Sequence, residues 1–152
     1  MPRLALVAAE FNRPLLDAMV AAATAEAAAL GATITHTVRV PGSYEAPLVV
    51  SRLLARADVD AAVVLGYIER GETLHGEVMG HVTHRAIVDQ SLHHGKPVGF
   101  GVIGPGATVE QAELRKDSYA RAAVRAALRS LEALTALEPP RRRGPRSRAR
   151  KR

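Results

Sequence analysis

The sequence predicts an α/β fold, a three-layer αβα sandwich around a four-stranded parallel sheet. Two observations lead to this prediction. Four short segments, apolar or rich in β-branched residues, have the composition of strands, and a helical segment follows each of them. The chain has 152 residues, 47% of them hydrophobic, which suits one domain with one core. Regular alternation of strands and helices favours a parallel sheet with right-handed crossovers and helices on both faces.

The first two strand–helix pairs are bounded by proline and glycine. The apolar run 4–9 is typical of a buried parallel strand, and Pro14 fits the first turn of the alanine-rich helix that follows. Gly31 ends that helix. Residues 32–40 are rich in β-branched side chains and predict the second strand, and a Pro-Gly-Ser turn leads to a second helix over 45–57.

The third pair consists of a strand over 61–66 and a helix over 75–94, with the polar loop 70–74 between them. In the fourth pair, a strand over 97–103 leads through a Gly-Pro-Gly turn at 104–106 to a helix that Thr108 caps and that runs to about residue 137. Such a sheet is of the flavodoxin-like type, in which ligands bind beyond the carboxyl ends of the strands.

Charge divides the chain into two parts. The net charge is +6, but eight basic residues and no acidic one lie between 141 and 152, and the rest of the chain has 13 basic and 15 acidic residues. We therefore expect a folded domain over 1–138 and a disordered basic tail over 139–152. The alternative is that the tail binds nucleic acid weakly and in a salt-sensitive way, although it has no aromatic side chain to stack on bases.

Composition also excludes several classes of protein. The chain has no Cys, which rules out disulfides and thiolate metal sites. No apolar segment approaches the length that spans a bilayer, and the first residues lack the apolar run of a signal peptide, so we expect a cytoplasmic protein without membrane contact. We expect no metal and no cofactor, because the sequence has neither a metal-ligand cluster nor a Gly-rich dinucleotide-binding motif.

Aromatic residues gather at the predicted carboxyl ends of the strands. Only 3% of the residues are aromatic, yet Phe11, Tyr44, Tyr67 and Phe100 all lie in segments that end or follow a strand. In a protein so poor in aromatics, this pattern indicates a flat ligand held by stacking. The alternative is that the two Phe side chains are plain core residues.

The loop 70–74 has the composition of an anion site. Gly71, Glu72 and Thr73 precede a helix start, where backbone N–H groups and the positive helix end suit a phosphate. His75 opens that helix and can exchange protons near neutral pH. Arg70 and Arg115 could add positive charge at this anion site. Ser43 and Glu45 offer hydrogen-bonding groups for a polyhydroxyl chain. These groups favour a condensation or an elimination over redox chemistry.

Each of these groups also has a structural explanation. His75 could cap its helix, Glu45 could favour the first turn of its own helix, and Arg115 could be a solvated charge. His81 and His84 share a helix face, but no carboxylate completes a metal site, and we interpret them as a solvated polar face.

Several segments together resemble the lumazine synthases of riboflavin biosynthesis. Arg-Gly-Glu-Thr-x-His at 70–75 and Val-Pro-Gly-x-Tyr-Glu at 40–45 are specific in combination, and similar segments lie at 11–12, 96–101 and 109–115 in the family's order. The resemblance covers residues 3 to 137. It implies an enzyme without a cofactor that condenses 5-amino-6-(ribitylamino)uracil with 3,4-dihydroxy-2-butanone 4-phosphate to 6,7-dimethyl-8-ribityllumazine, releasing phosphate and water in the penultimate step of the pathway.

The resemblance also implies residue roles. Phe11 stacks on the pyrimidine, and His75 donates the proton. The uracil-ribityl substrate is held by Ser43, Tyr44, Glu45, Tyr67, Ile68 and Glu69, the last three largely through backbone groups. The phosphate is bound by Thr73 and by the backbone N–H of Glu72.

The neighbouring subunit completes each site in this family, with Phe100 directed toward the ring and Arg115 toward the phosphate. The chain lacks the family's Asn-Lys-Gly turn after Arg115, so we expect a pentamer or a pair of pentamers rather than a shell. Riboflavin synthase is a candidate partner. Two alternatives are a non-catalytic relative that binds flavin or lumazine, and an oligomeric scaffold that binds nucleic acid through the basic tail.

Overall fold

Four strands alternate with four helices along the chain. The computed structural model describes residues 1–139, so the predicted basic tail lies outside the described residues except for Pro139. A short 3₁₀ turn, Ser43–Glu45, precedes the second helix. The elements are β1 (Arg3–Ala9), α1 (Arg13–Ala29), β2 (Thr33–Val40), α2 (Ala46–Leu54), β3 (Ala61–Glu69), α3 (His75–His94), β4 (Val98–Ala107) and α4 (Val109–Leu137). None of the helices in this part of the chain is long and apolar enough to cross a membrane.

The sheet is entirely parallel, with strand order β2-β1-β3-β4. This confirms the predicted α/β fold with helices on both faces of a four-stranded sheet. The order matches the flavodoxin-like arrangement without a fifth strand. The side of the sheet to which successive strands are added changes between β1 and β3. The crevice beyond the carboxyl ends of these two strands is the expected ligand site.

Side chains of the central strands alternate between two cores. Leu4 and Leu6 of β1 pack with α1 and α4 on one face, whereas Ala5 and Val7 pack with α2 and α3 on the other. Because both faces are covered, β1 and β3 are buried almost throughout. That explains why their sequences are continuous apolar runs rather than alternating ones.

The layer formed by α1 and α4 packs closely on the sheet through small side chains. A Cβ atom added to Gly99 of β4 would overlap the backbone carbonyl of Ala123 in α4. Glu26 of α1 is only 7% exposed, and its carboxylate accepts hydrogen bonds from Arg121 at 3.0 Å and Arg125 at 2.6 Å. The two helices are therefore joined by apolar contact and by a nearly buried ion cluster.

Several predicted boundaries need correction. β3 continues to Glu69, and β4 continues to Ala107 through the segment 104–106 that was predicted to be a turn. Glu69 pairs with Ala107 after an irregularity in the register. Gly104 has a φ of +95°, and a Cβ atom there would overlap the carbonyl of Ile68 in β3. The segment 104–106 therefore packs against β3 and continues β4 instead of forming a turn. The second helix ends at Leu54, earlier than predicted.

Other boundaries are confirmed. The N-terminal cap of α4 is Thr108, whose hydroxyl accepts a hydrogen bond from the N–H of Gln111 at 3.2 Å. The Gln111 side chain in turn accepts one from the Thr108 N–H at 3.0 Å, completing a capping box. Gly95 ends α3 with a φ of 62°, a left-handed conformation that glycine adopts at little cost.

Candidate functional site

An open cleft of about 490 Å³ lies beyond the carboxyl ends of β1 and β3. Segments that are far apart in the sequence supply its walls. The predicted site residues that line it are Phe11, Ser43, Tyr44, Glu45, Tyr67, Ile68, Glu69, Thr73 and His75. The structure thus brings nine of the predicted residues to one cavity in a single chain.

Phe11 forms an aromatic wall of the cleft. Its side chain is 49% exposed, and its ring centroid lies 6.1 Å from that of the buried Tyr67, with the two planes inclined by 35°. The next residue, Asn12, has a left-handed φ of 53°, and its carbonyl accepts a hydrogen bond from the N–H of Leu16. This local turn starts α1 directly after Phe11, so the ring stays at the rim of the cleft instead of entering the core.

The 3₁₀ turn Ser43–Glu45 provides the opposite wall. Tyr44 is 44% exposed, and its ring lies 6.2 Å from the imidazole of His75. Gly66 of β3 lies next to this turn, and a Cβ atom there would be at an ordinary van der Waals distance of 3.6 Å from the Ser43 hydroxyl. The three residues of the turn, Ser43–Glu45, all line the cleft.

The loop 70–74 and the start of α3 form the polar end of the cleft. The Thr73 hydroxyl accepts a hydrogen bond of 3.3 Å from the backbone N–H of His75. A Cβ atom at Gly76 would lie 3.2 Å from the carbonyl oxygen of Glu69, so the helix start packs tightly against the end of β3. The first N–H groups of a helix have no partner within it, and they make this end suitable for an anion.

Tyr67 joins the floor of the cleft to the end of the sheet. Its side chain is 3% exposed, and its hydroxyl donates a hydrogen bond of 3.0 Å to the carbonyl of Ala107. Burial, followed by the negative charges of Glu69 and Glu110, raises the pKa of the Tyr67 phenol above its ordinary value. The phenol is therefore neutral and able to donate at physiological pH.

Three predicted residues do not line the cleft within one chain. The ring of Phe100 packs against the imidazole of His84, with centroids 5.4 Å apart, and the guanidinium of Arg115 donates to the carbonyl of Gln111 at 3.0 Å. The Glu72 side chain is exposed. The implied roles of Phe100 and Arg115 in a neighbouring subunit, and of the Glu72 backbone N–H, stay predictions.

Other residues of the cleft were missed in the sequence. They are Ala9, Pro41, Gly42, Gly76 and Met79, whereas Gly71, which also lines the cleft, was predicted to belong to the anion site. Met79 lies one helical turn after His75, and this spacing could have identified it. Among the described residues, no group of three or more His, Asp or Glu side chains is arranged to bind a metal.

Residues 1–135 match the family described as 6,7-dimethyl-8-ribityllumazine synthase. The chain belongs to this family. It is 43% identical over 138 residues to the 6,7-dimethyl-8-ribityllumazine synthase of Staphylothermus marinus, a match that covers 91% of this chain and 92% of the relative. It is 44% identical over 138 residues to that of Methanocaldococcus jannaschii, covering 91% and 97% of the two chains.

A third lumazine synthase, from Methanopyrus kandleri, is 44% identical over 136 residues, covering 90% of this chain and 96% of the relative. The predicted family is thereby confirmed, and with it the prediction of an enzyme of riboflavin biosynthesis. The matched residues, 1–135, contain every predicted site residue. The basic tail lies beyond the matched residues.

Proposed function

We propose that this lumazine synthase condenses 5-amino-6-(ribitylamino)uracil with 3,4-dihydroxy-2-butanone 4-phosphate to 6,7-dimethyl-8-ribityllumazine, without a cofactor. The observation that carries the proposal is the convergence of an aromatic wall, a hydroxyl- and carboxylate-bearing turn, a helix-start anion site and His75 on one cleft. A flat heterocycle, a polyol chain and a phosphate each require one of these surfaces.

The uracil-ribityl substrate fits the part of the cleft between Phe11 and the turn Ser43–Glu45. The half-exposed Phe11 ring offers a face on which the pyrimidine stacks. The Ser43 hydroxyl and the Glu45 carboxylate are hydrogen-bonding groups for the ribityl hydroxyls. Backbone groups of Ile68 and Glu69, where β3 ends at the cleft, bind the edge of the heterocycle.

The phosphate of the second substrate fits the loop 70–74. Backbone N–H groups of Glu72 and its neighbours, the Thr73 hydroxyl and the positive end of the 20-residue α3 favour a bound anion. In the proposed assembly, Arg115 of an adjoining subunit adds a guanidinium, which forms charge-assisted hydrogen bonds with phosphate oxygens. In this proposed arrangement, the phosphate at the loop 70–74 lies next to His75.

His75 moves protons during the condensation. Forming an imine from an amine and a ketone expels water, and β-elimination of the phosphate requires the carbon next to the phosphate-bearing carbon to lose a proton. Both steps need a group that exchanges protons near neutral pH, as an imidazole does. The His75 side chain is exposed at the phosphate end of the cleft, beside Tyr44.

Exposed apolar side chains support assembly of several subunits. Along α3 and the residue before it, Leu74, Val78, Val82 and Leu92 are each more than half exposed. An apolar ridge of this kind is typical of a protein–protein interface. We propose a homopentamer or a pair of pentamers in which Phe100 and Arg115 reach the cleft of the next subunit, and we propose that the enzyme acts in the cytoplasm.

The direct test is to mix both substrates with purified full-length protein. Formation of the lumazine is followed by absorbance and fluorescence, and inorganic phosphate is measured at the same time. We expect the two products in equal amounts, and each substrate alone serves as the control. Lumazine binding without any turnover would instead support the non-catalytic alternative. The mass of the native particle, measured in parallel, tests the pentamer.

A further inference from the structure

The carbonyl oxygen of Ala107, at the end of β4, accepts two hydrogen bonds, one from a residue that lines the cleft and one from the loop 70–74. One comes from the Tyr67 hydroxyl at 3.0 Å, and the other from the backbone N–H of Arg70 at 2.9 Å. A carbonyl has two lone pairs, so these donors use its full capacity. Arg70 is the first residue of the loop 70–74, and Ala107 thus ties the base of that loop to a buried side chain.

The ring of Tyr67 meets the other half of the site. It lies directly next to Phe11, with ring centroids 6.1 Å apart, and it is packed into the core between the sheet and the layer of α1 and α4. Phe11 follows β1, whereas Ala107 closes β4. Tyr67 therefore contacts Phe11 through its ring. Through its hydrogen bond to Ala107, it is also linked to Arg70 at the start of the loop 70–74.

We propose that Tyr67 is a positioning residue that sets the separation between the pyrimidine-stacking ring of Phe11 and the phosphate-binding loop 70–74. The inference rests on the proposed function, since it assumes that these two surfaces hold the two substrates. Reaction between two bound molecules depends strongly on their relative placement.

Tyr67→Phe tests the hydroxyl alone, since the ring and its contact with Phe11 are retained. We expect the KM for the phosphate substrate to rise about three- to tenfold, the range that corresponds to one lost hydrogen bond, with the KM for the uracil substrate unchanged. Tyr67→Leu removes the ring as well, and we expect the KM for both substrates to rise.

The matched control is Tyr119→Phe. Tyr119 lies on α4, and its hydroxyl makes no hydrogen bond within residues 1–139, so both KM values should equal those of the wild type. Melting temperatures of all variants are compared with that of the wild type. A Tyr67→Phe enzyme whose two KM values rise equally, or do not change, overturns the positioning role.

Failure of the proposed function is distinguishable from failure of this inference. If the wild-type protein forms no lumazine, the proposed function is wrong. If the wild type is active and Tyr67→Phe has the same kinetic constants, only the role of Tyr67 is wrong.

Discussion

The ring of Tyr44 lies 6.2 Å from the imidazole of His75, with the two planes inclined by 59°. Tyr44 belongs to the 3₁₀ turn before α2, and His75 is the first residue of α3. This contact joins the turn Ser43–Glu45 to the start of α3 across the cleft. It also places an aromatic side chain next to the only histidine that lines the cleft among the described residues.

Replacing His75 by Ala should lower kcat more than it weakens substrate binding. Proton-transfer catalysis contributes roughly 10²–10⁴-fold, and the loss is expected toward the lower end if part of the condensation proceeds spontaneously. Steady-state kinetics with both substrates measure the effect. His93→Ala, at the opposite end of α3 from His75, is the matched control. An unchanged kcat in His75→Ala would remove His75 from the mechanism.

Arg115→Ala should raise the KM for the phosphate substrate and leave the KM for the uracil substrate unchanged, because the guanidinium is proposed to contact phosphate oxygens. A rise only in the KM for the uracil substrate would contradict this assignment.

Mixing subunits of these two impaired variants, assayed at a low concentration of the phosphate substrate, tests whether sites are shared. When His75→Ala and Arg115→Ala chains are unfolded together and refolded in equal amounts, about a quarter of the sites should contain both native residues, since each site takes them from two adjoining chains. Activity well above that of either variant is the expected result. Mixed particles no more active than the separate variants would show that both residues act within one chain.

Glu26 should make stability depend on pH in the acid range. Its hydrogen bond with Arg121, and then that with Arg125, lower the pKa of its carboxyl below the ordinary value of 4.5. The unfolded chain therefore takes up the proton first, and the contribution of Glu26 is complete above pH 4.5 and is lost as the pH falls through the lowered pKa. Thermal unfolding of Glu26→Gln between pH 3 and 7 should show a lower melting temperature at neutral pH and a smaller loss on acidification.

Glu113→Gln is the control for that experiment. Glu113 pairs with Lys116 on the exposed side of α4, and exposed pairs contribute little to stability. Its melting curve should follow that of the wild type across the same pH range. Identical pH dependence in Glu26→Gln and the wild type would contradict the role of the Glu26 cluster.

Gly99→Ala should destabilise the protein, because the added methyl group would overlap the backbone of Ala123 and force α4 away from the sheet. Overpacking of this kind costs about 1–3 kcal/mol, and more where backbone must move. Denaturant unfolding measures the change. Gly71→Ala is the matched control for stability, since its Cβ would meet nothing closer than 4.0 Å. Equal free energies of unfolding for the two variants would mean that α4 can move away from the sheet without destabilising the protein.

Deleting residues 141–152 should separate the enzyme from its basic tail. The eight basic residues removed lie outside the matched residues 1–135, so we expect kcat and both KM values to be unchanged. Any binding of the full chain to a polyanion should weaken as the salt concentration increases, and the truncated chain should show no such binding. Polyanion binding that survives the deletion, or that is insensitive to salt, would contradict the electrostatic origin.

The alternation of strands and helices was predictable because its determinants are local. Apolar runs, helix caps and glycines at helix ends are visible within a few residues, and Thr108 and Gly95 act as their types predict. The course of β4 beyond Ile103 was not predictable in this way. Gly-Pro-Gly normally reverses a chain, and only the packing of Gly104 against Ile68 of the neighbouring strand explains why it continues here.

The site was predictable to the extent that strand ends meet at one edge of a parallel sheet. That rule and the family resemblance together predicted that Phe11, Glu45 and His75 lie at one cleft, and all three residues line it. The hydrogen bond from Tyr67 to Ala107 was not predictable, because it depends on how far β4 extends and on a shift in register. The positions of Phe100 and Arg115 relative to the cleft depend on an arrangement of subunits that one chain does not contain.

The layer between α1, α4 and the sheet contains many alanines beside larger side chains such as Leu6, Leu16 and Met19. Side chains buried there include Ala22, Ala23, Ala27, Ala112, Ala120, Ala123 and Ala127. Truncating any one of these alanines removes a single methyl group and opens only a small void. A larger side chain at the same positions would have to displace a helix from the sheet, so the residues that can be accommodated there are restricted to the smallest ones.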